Sequence, residues 1–178
     1  MRSVIYGAAV SLDGFIAGID GETDWLRWSG DVAELSNATL AGADTILMGR
    51  RTYEAAVAAG LRSYPGFRNV VFSRTLDAGA HREVEVVATD AVTWVENLKQ
   101  RAGKDVVLMG GGELARSLMA AGLVDVIGVN VQPIILGGGV PLLPAIGRRV
   151  SLGLRETKVL SGGCVYALYS VHHDGGGR

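Results

Sequence analysis

Thr45-Ile46-Leu47-Met48-Gly49-Arg50-Arg51-Thr52-Tyr53-Glu54 passes from an apolar stretch through one glycine into helix-forming residues, and Val106-Val107-Leu108-Met109-Gly110-Gly111-Gly112-Glu113-Leu114 repeats the arrangement later in the chain. Each reads as a buried strand that turns at glycine straight into a helix. The first N–H groups of a helix have no intrahelical partner and carry partial positive charge, so both turns suit phosphate oxygens. Glycine omits the side chain that would hold a ligand away from the backbone. Strand, glycine and helix also make ordinary α/β turns, and either motif alone supports that reading equally well. Together, with Arg50 and Thr52 on the first, they favour a nucleotide with a bridging pyrophosphate.

Outward from these motifs, apolar β-branched runs near residues 3–10, 44–48, 69–73, 84–88, 105–109 and 125–131 predict strands. They are mostly continuous rather than alternating, the habit of parallel strands covered on both faces. Helical patterns near 31–41, 51–59, 91–102 and 113–121 alternate with them. The expected class is α/β, a three-layer domain over residues 1–173 with a mostly parallel central sheet and helices on both faces. A proline and glycine loop, Pro133 to Pro144, precedes two segments, Leu152 to Leu160 and Cys164 to Val171, that pair as a hairpin turning at Ser161-Gly162-Gly163. The sheet is thus expected to end in antiparallel strands, and residues 174–178 to form a disordered tail.

The chain has 178 residues, 48 % of them hydrophobic and 20 % charged, the balance of a globular domain. A net charge of -1 excludes bulk attraction to nucleic acid. Cys164 is the only cysteine, so no internal disulfide or thiolate metal cluster forms, and it reads as a small core residue. His81, His172 and His173 show no metal-ligand spacing. With no signal-like start and no long uncharged apolar run, the expected location is the cytoplasm, with no membrane partner.

Ser11-Leu12-Asp13-Gly14, Met48-Gly49-Arg50-Arg51-Thr52 and Met109-Gly110-Gly111-Gly112, in this order, resemble the dihydrofolate reductase fold. With Pro133-Ile134-Ile135-Leu136-Gly137-Gly138-Gly139-Val140-Pro141-Leu142, the chain is more closely similar to the reductase half of the bacterial riboflavin-biosynthesis deaminase-reductase and its free-standing relatives. The resemblance implies a homodimeric NADPH-dependent reductase that delivers hydride to a small C=N or C=O substrate. The nearest named activity is reduction of 5-amino-6-(5-phosphoribosylamino)uracil. By the same resemblance, Arg50 serves the adenosine phosphates, Thr52 the pyrophosphate, and Ser73 and Arg74 the ribose 2′-phosphate that distinguishes NADPH from NADH, with Gly49 and Arg51 as further cofactor-binding candidates. Gly110, Gly111, Gly112, Glu113 and Leu114 form the second cofactor turn, Gly110 and Gly111 matching a pair joined by a cis peptide. Ala9 and Ile16 match positions whose backbone holds the nicotinamide carboxamide.

Departures from the pattern narrow the substrate. Where folate reductases carry an arginine for the folate tail, this chain has Phe67, with Arg68 one place later and so on the other face. The acid of the first helix has no clean equivalent, although Asp31 and Glu34 are present. Glu113 stands where a basic cofactor contact is frequent. Dihydrofolate or pterin reduction and a non-catalytic nucleotide-binding homodimer are the alternatives.

For catalysis the candidates are Asp24 and Asp13. Asp13-Gly14 also reads as a turn, and Asp24-Trp25 as a helix start capped by Asp24. Trp25 would stack on the substrate. Asn130 and Gln132, two apart in an apolar strand, share a face and suit a ligand or a buried network. Gly138, within the glycine triplet, is a candidate phosphate cradle, with Arg148 and Arg149 as a charge supply or a solvated pair.

Overall fold

The computed structural model describes residues 1–173; the tail expected over 174–178 lies outside the described residues. Its strands are β1 (Val4–Ser11), β2 (Phe15–Ala17), β3 (Ala43–Gly49), β4 (Arg68–Phe72), β5 (Glu85–Val87), β6 (Asp105–Gly110), β7 (Val126–Gln132), β8 (Val140–Pro141), β9 (Ser151–Val159) and β10 (Val165–His172). The helices are α1 (Gly30–Ala41), α2 (Arg50–Ala58), α3 (Ala91–Lys99) and α4 (Gly112–Ala120).

Eight strands form one sheet in the order β5-β4-β3-β6-β1-β7-β10-β9, parallel from β5 to β7 and antiparallel on either side of β10. The expected hairpin is β9 and β10, joined by a tight turn at Ser161–Gly163 in which Gly162 and Gly163 take φ of 74° and 79°. Alternation along the strands sends side chains to two cores. Leu47 and Val70 join Val95 and Leu98 of α3 and Ala115 and Leu118 of α4 on one face. On the other face Ile46, Met48 and Val71 pack on Tyr53 of α2. A third cluster, Val32 of α1 with Leu160 and Cys164, covers the hairpin end of that face. Cys164 is thus a core residue.

Three local expectations change. Asp24 starts no helix: it lies in a turn closed by the Leu26 N–H on the Thr23 carbonyl (3.1 Å), and α1 begins at Gly30 with Ser29 at its N-cap. The helix expected to reach residue 102 ends at Lys99, whose ammonium is buried on the Leu123 carbonyl (3.0 Å) and the Asp125 carboxylate. The proline and glycine loop contains β8, which pairs with β2 in a small second sheet too short to show a sequence period. No helix among the described residues is long and apolar enough to cross a membrane.

Candidate active site

A cleft of about 1240 Å³ opens on the α1–α2 face, between the two smaller cores. Its floor is one face of the sheet: Ile5, Gly7 and Ala9 of β1, Val107 and Met109 of β6, Gly128 and Asn130 of β7, and Tyr166 of β10. Glycine and alanine at the centre leave no side chain to meet α1, so the helix spans a gap instead of closing it. A Cβ on Gly7 would meet nothing within 4 Å, so no protein neighbour demands glycine there. Glycine weakens a strand interior, and close approach of a ligand is the physical reason to keep one.

At one end the two glycine turns lie side by side. Met48 pairs with Gly110, and a Cβ on Gly49 would stand 3.4 Å from the Gly111 nitrogen. The Gly110–Gly111 peptide is cis, and the Thr52 hydroxyl is 3.2 Å from where a Gly111 Cβ would sit. Gly49 and Gly111 are the N-caps of α2 and α4 and provide no side-chain cap. By contrast α3 is capped by its own Asp90, which accepts the Thr93 N–H at 2.8 Å. The helix ends that border the cleft therefore keep N–H groups for an anion. Arg50 and Arg51 stand beside them, Arg50 donating to both carboxylate oxygens of Glu54 at 2.8 and 2.9 Å. These donors fit a dinucleotide pyrophosphate. Gly112, which also lines the cleft, serves packing as well, since a Cβ there would come within 2.6 Å of the Pro141 carbonyl oxygen, and its absence lets α4 close on the following loop.

At the other end, Ile19, Trp28 and α1 wall the cleft over Asn130 and Tyr166. The Asn130 Oδ1 is buried with no hydrogen-bond partner. Tyr166 sits directly across from Asn130 in the β7–β10 register, its hydroxyl 3.0 Å from where a Gly128 Cβ would lie. Burial, and after it the Glu156 charge, pushes the Tyr166 phenol up, against the opposing Lys158 charge and a hydrogen bond with Thr39.

Of the residues singled out from the sequence, the cleft gathers Ala9, Ile16, Gly49, Arg50, Arg51, Thr52, Gly111, Gly112, Glu113, Leu114 and Asn130. Gly110 is not among the lining residues and is joined by the cis peptide to Gly111, which is. Glu113 turns outward to Arg116 at 2.9 Å. The lining stops at Phe72; the next residue, Ser73, uses its hydroxyl to accept the Thr75 and Leu76 N–H groups (3.2 and 2.9 Å), and Arg74 is exposed.

Asp13, Asp24, Trp25, Gln132 and Gly138 are not among the lining residues. Asp13 belongs to a turn: Ser11 donates to it at 2.7 Å, Leu136 and Gly137 donate their N–H groups at 3.1 and 2.8 Å, and Ser11 above all holds its carboxyl below the usual range. The Trp25 indole N–H goes to the Glu22 carbonyl at 3.2 Å. Gln132 Oε1 accepts from the Arg27 N–H (3.2 Å) and the Cys164 thiol (3.3 Å), while its Nε2, like Asn130 Oδ1, is buried without a hydrogen-bond partner. Arg148 reaches the Met119 carbonyl at 3.2 Å, on α4 rather than on the glycine loop. In the first helix the Ser29 hydroxyl, followed by the Ser161 N–H, holds the Asp31 carboxyl down to about 2, which removes it as a proton donor near neutrality. Arg68 is taken by Glu85 (2.8 and 3.0 Å) and lies over Trp94, away from the cleft.

Gly7, Gly128 and Tyr166 are site residues that motif and spacing did not single out. A glycine inside each of two β-branched strands was their available signal.

Against known proteins, residues 2–168 match the RibD C-terminal domain family. The uncharacterized protein YwjB of Bacillus subtilis is 32 % identical over 159 residues, covering 88 % of this chain and 91 % of that protein. The riboflavin biosynthesis protein RibD of Mycobacterium tuberculosis is 30 % identical over 159 residues, 81 % of this chain but 46 % of RibD. Among solved structures, a Shewanella sp. PV-4 protein named for riboflavin biosynthesis superposes with a TM-score of 0.84 at 24 % identity, covering 97 % of this chain and 100 % of that one. Enterococcus faecalis dihydrofolate reductase, solved with NADP(H), gives 0.70 at 19 % identity over 96 % and 97 % of the two chains. The fold is dihydrofolate-reductase-like, and the chain belongs to the RibD C-terminal domain family.

Proposed function

We propose that the protein is an NADPH-dependent reductase that acts on the C=N or C=O group of a small acceptor of the ribosylaminouracil type, as a homodimer. The observation that carries this reading is the pair of uncapped helix ends, α2 and α4, meeting at one end of a cleft whose other end holds an unsatisfied buried amide. NADPH, when bound, supplies the hydride. In this reading the N–H groups that open α2 and α4, with Arg50, Arg51 and the Thr52 hydroxyl, hold its phosphates. The backbone of Ala9 and Ile16 holds the nicotinamide end, and Ser73 and Arg74 reach the 2′-phosphate beyond Phe72. The apolar walls Ile5, Val107 and Leu35 exclude water from the reacting face. Exposed Leu152 (44 %) and Leu154 (59 %) on the outermost strand β9 support a partner subunit there.

The commitment of Arg68 to Glu85 supports a substrate other than folate, because nothing at that position remains to clamp a glutamate tail. Fluorescence titration with NADPH and NADH tests the cofactor: wild type should prefer NADPH, Arg74→Ala should lose the preference, and Arg50→Ala should weaken both nucleotides. Failure of either nucleotide to bind at micromolar concentration would leave the glycine turns as structural features and end the reductase reading.

A further inference from the structure

Hydride addition to a C=N or C=O group leaves an electron pair on nitrogen or oxygen, and a proton must meet it there. The carboxyl groups that the sequence offered do not supply it: Asp13, Asp24 and Asp31 are not among the lining residues, and Asp31 is held ionised by Ser29. Among the described residues that line the cleft, the titratable side chains are Asp20, Arg50, Arg51, Glu113 and Tyr166. Both arginines open α2 at the phosphate end, Glu113 turns outward to Arg116, and Asp20 is exposed. The Tyr166 phenol stands over the floor.

Its placement follows from the register of four strands. Tyr166 pairs with Asn130 of β7, and its hydroxyl lies 3.0 Å from where a Gly128 Cβ would sit. Gly128 pairs in turn with Gly7 of β1, so two neighbouring strands carry no side chain beside the phenol oxygen. Behind it, β9 sets Lys158 directly across from Tyr166, and Lys158 pairs with Glu156 at 2.7 Å. From α1, Thr39 hydrogen-bonds the phenol, and its hydroxyl also donates to the Leu35 carbonyl at 3.1 Å. Burial and Glu156 favour the phenol, while Lys158 and Thr39 favour the phenolate. A phenol protonated at rest, with an ammonium and a hydroxyl ready for its anion, suits general acid chemistry.

We propose that Tyr166 is the proton donor of the reaction, a role that rests on the reductase reading of the cleft. As hydride from NADPH forms a C–H bond at the acceptor carbon, the π pair of the C=N or C=O bond moves to the nitrogen or oxygen. The Tyr166 O–H bond breaks, and its proton bonds to that atom. The acceptor gains two electrons, NADPH becomes NADP⁺, and Lys158 and Thr39 hold the tyrosinate. Solvent, which reaches the half-exposed Lys158, then returns the proton.

The test joins NMR of the protein carrying ring-labelled tyrosine to kinetics with 5-amino-6-(5-phosphoribosylamino)uracil. The Tyr166 signal, identified as the one missing from Tyr166→Phe, should move when NADP⁺ saturates the protein. Its alkaline titration should shift up in Lys158→Met and down in Glu156→Gln, although each substitution breaks the same ion pair. In turnover, Tyr166→Phe should lower kcat about 100-fold or more, with KM, NADPH affinity and melting temperature close to wild type. Lys158→Met should also lower kcat, and Glu156→Gln should not. A Tyr166 signal indifferent to NADP⁺, kcat within about threefold of wild type in Tyr166→Phe, or equal losses in Lys158→Met and Glu156→Gln would overturn the assignment. Failure of the wild type to bind NADPH, or to oxidise it with this acceptor, would instead end the reductase reading on which the assignment rests.

Discussion

The carboxylate of Asp13 accepts the Gly137 N–H at 2.8 Å, so an acid in the turn after β1 occupies the glycine loop that would otherwise be free to cradle a substrate phosphate. The same carboxylate takes the Leu136 N–H at 3.1 Å, and the Leu12 N–H reaches the Ile134 carbonyl at 2.8 Å. The Ser11–Gly14 and Pro133–Leu142 segments are thereby fastened together. Asp13→Ala should lower the melting temperature and speed amide exchange at Leu136 and Gly137 by about tenfold or more. Unchanged exchange with lost turnover would make Asp13 a catalytic acid instead of a fastener.

Asp31 ties α1 to the hairpin turn through the Ser161 N–H at 2.7 Å, with its carboxyl held down to about 2 chiefly by the Ser29 hydroxyl. A carboxyl with a lowered folded-state value stabilises the fold fully above its ordinary value of about 4. That contribution is lost as pH falls from about 4 to about 2. Thermal melts of Asp31→Asn should therefore show lower stability than wild type above pH about 4, with the gap narrowing through this window. A constant gap would contradict the assignment.

Gly7→Val inserts a β-favouring side chain where a Cβ meets nothing within 4 Å. The variant should melt at or above the wild-type temperature, since glycine in a strand interior costs roughly 0.5–1 kcal/mol. Nucleotide or acceptor affinity should nevertheless fall about tenfold, because the new side chain occupies the cleft floor. Unimpaired binding would show that the gap over β1 is not used.

Gly112→Ala is expected to act the opposite way. Its Cβ would sit 2.6 Å from the Pro141 oxygen, and neither helix nor loop can yield without disturbing the Leu142 contacts to Tyr6 (2.9 Å) and Gly14 (2.9 Å). Chemical denaturation should show a loss of about 1–3 kcal/mol.

The parallel part of the sheet was legible because its strands are buried on both faces and so appear as uninterrupted Val, Ile and Leu runs broken by glycine. The hairpin was legible from Ser161-Gly162-Gly163. Local pattern could not reveal partnerships made across the fold: the end of α3 depends on Lys99 meeting Asp125, and the turn at Ser11–Gly14 is fastened by amides more than a hundred residues away. For the same reason Asn130 and Gln132, alike in sequence and on one face of β7, differ in their surroundings. Gln132 is engaged by Arg27 and Cys164, while Asn130 faces the cleft beside Tyr166, a neighbour set by strand register.

Backbone amide NMR of the labelled protein tests directly whether the two glycine turns together bind the phosphates of NADPH, as proposed. On titration with NADPH, the amides from Arg50 to Tyr53 and from Gly111 to Leu114 should shift most, while those of Leu136 and Gly137, already bound to Asp13, should stay in place. Saturable binding that leaves both helix starts unmoved, or no binding, would contradict it.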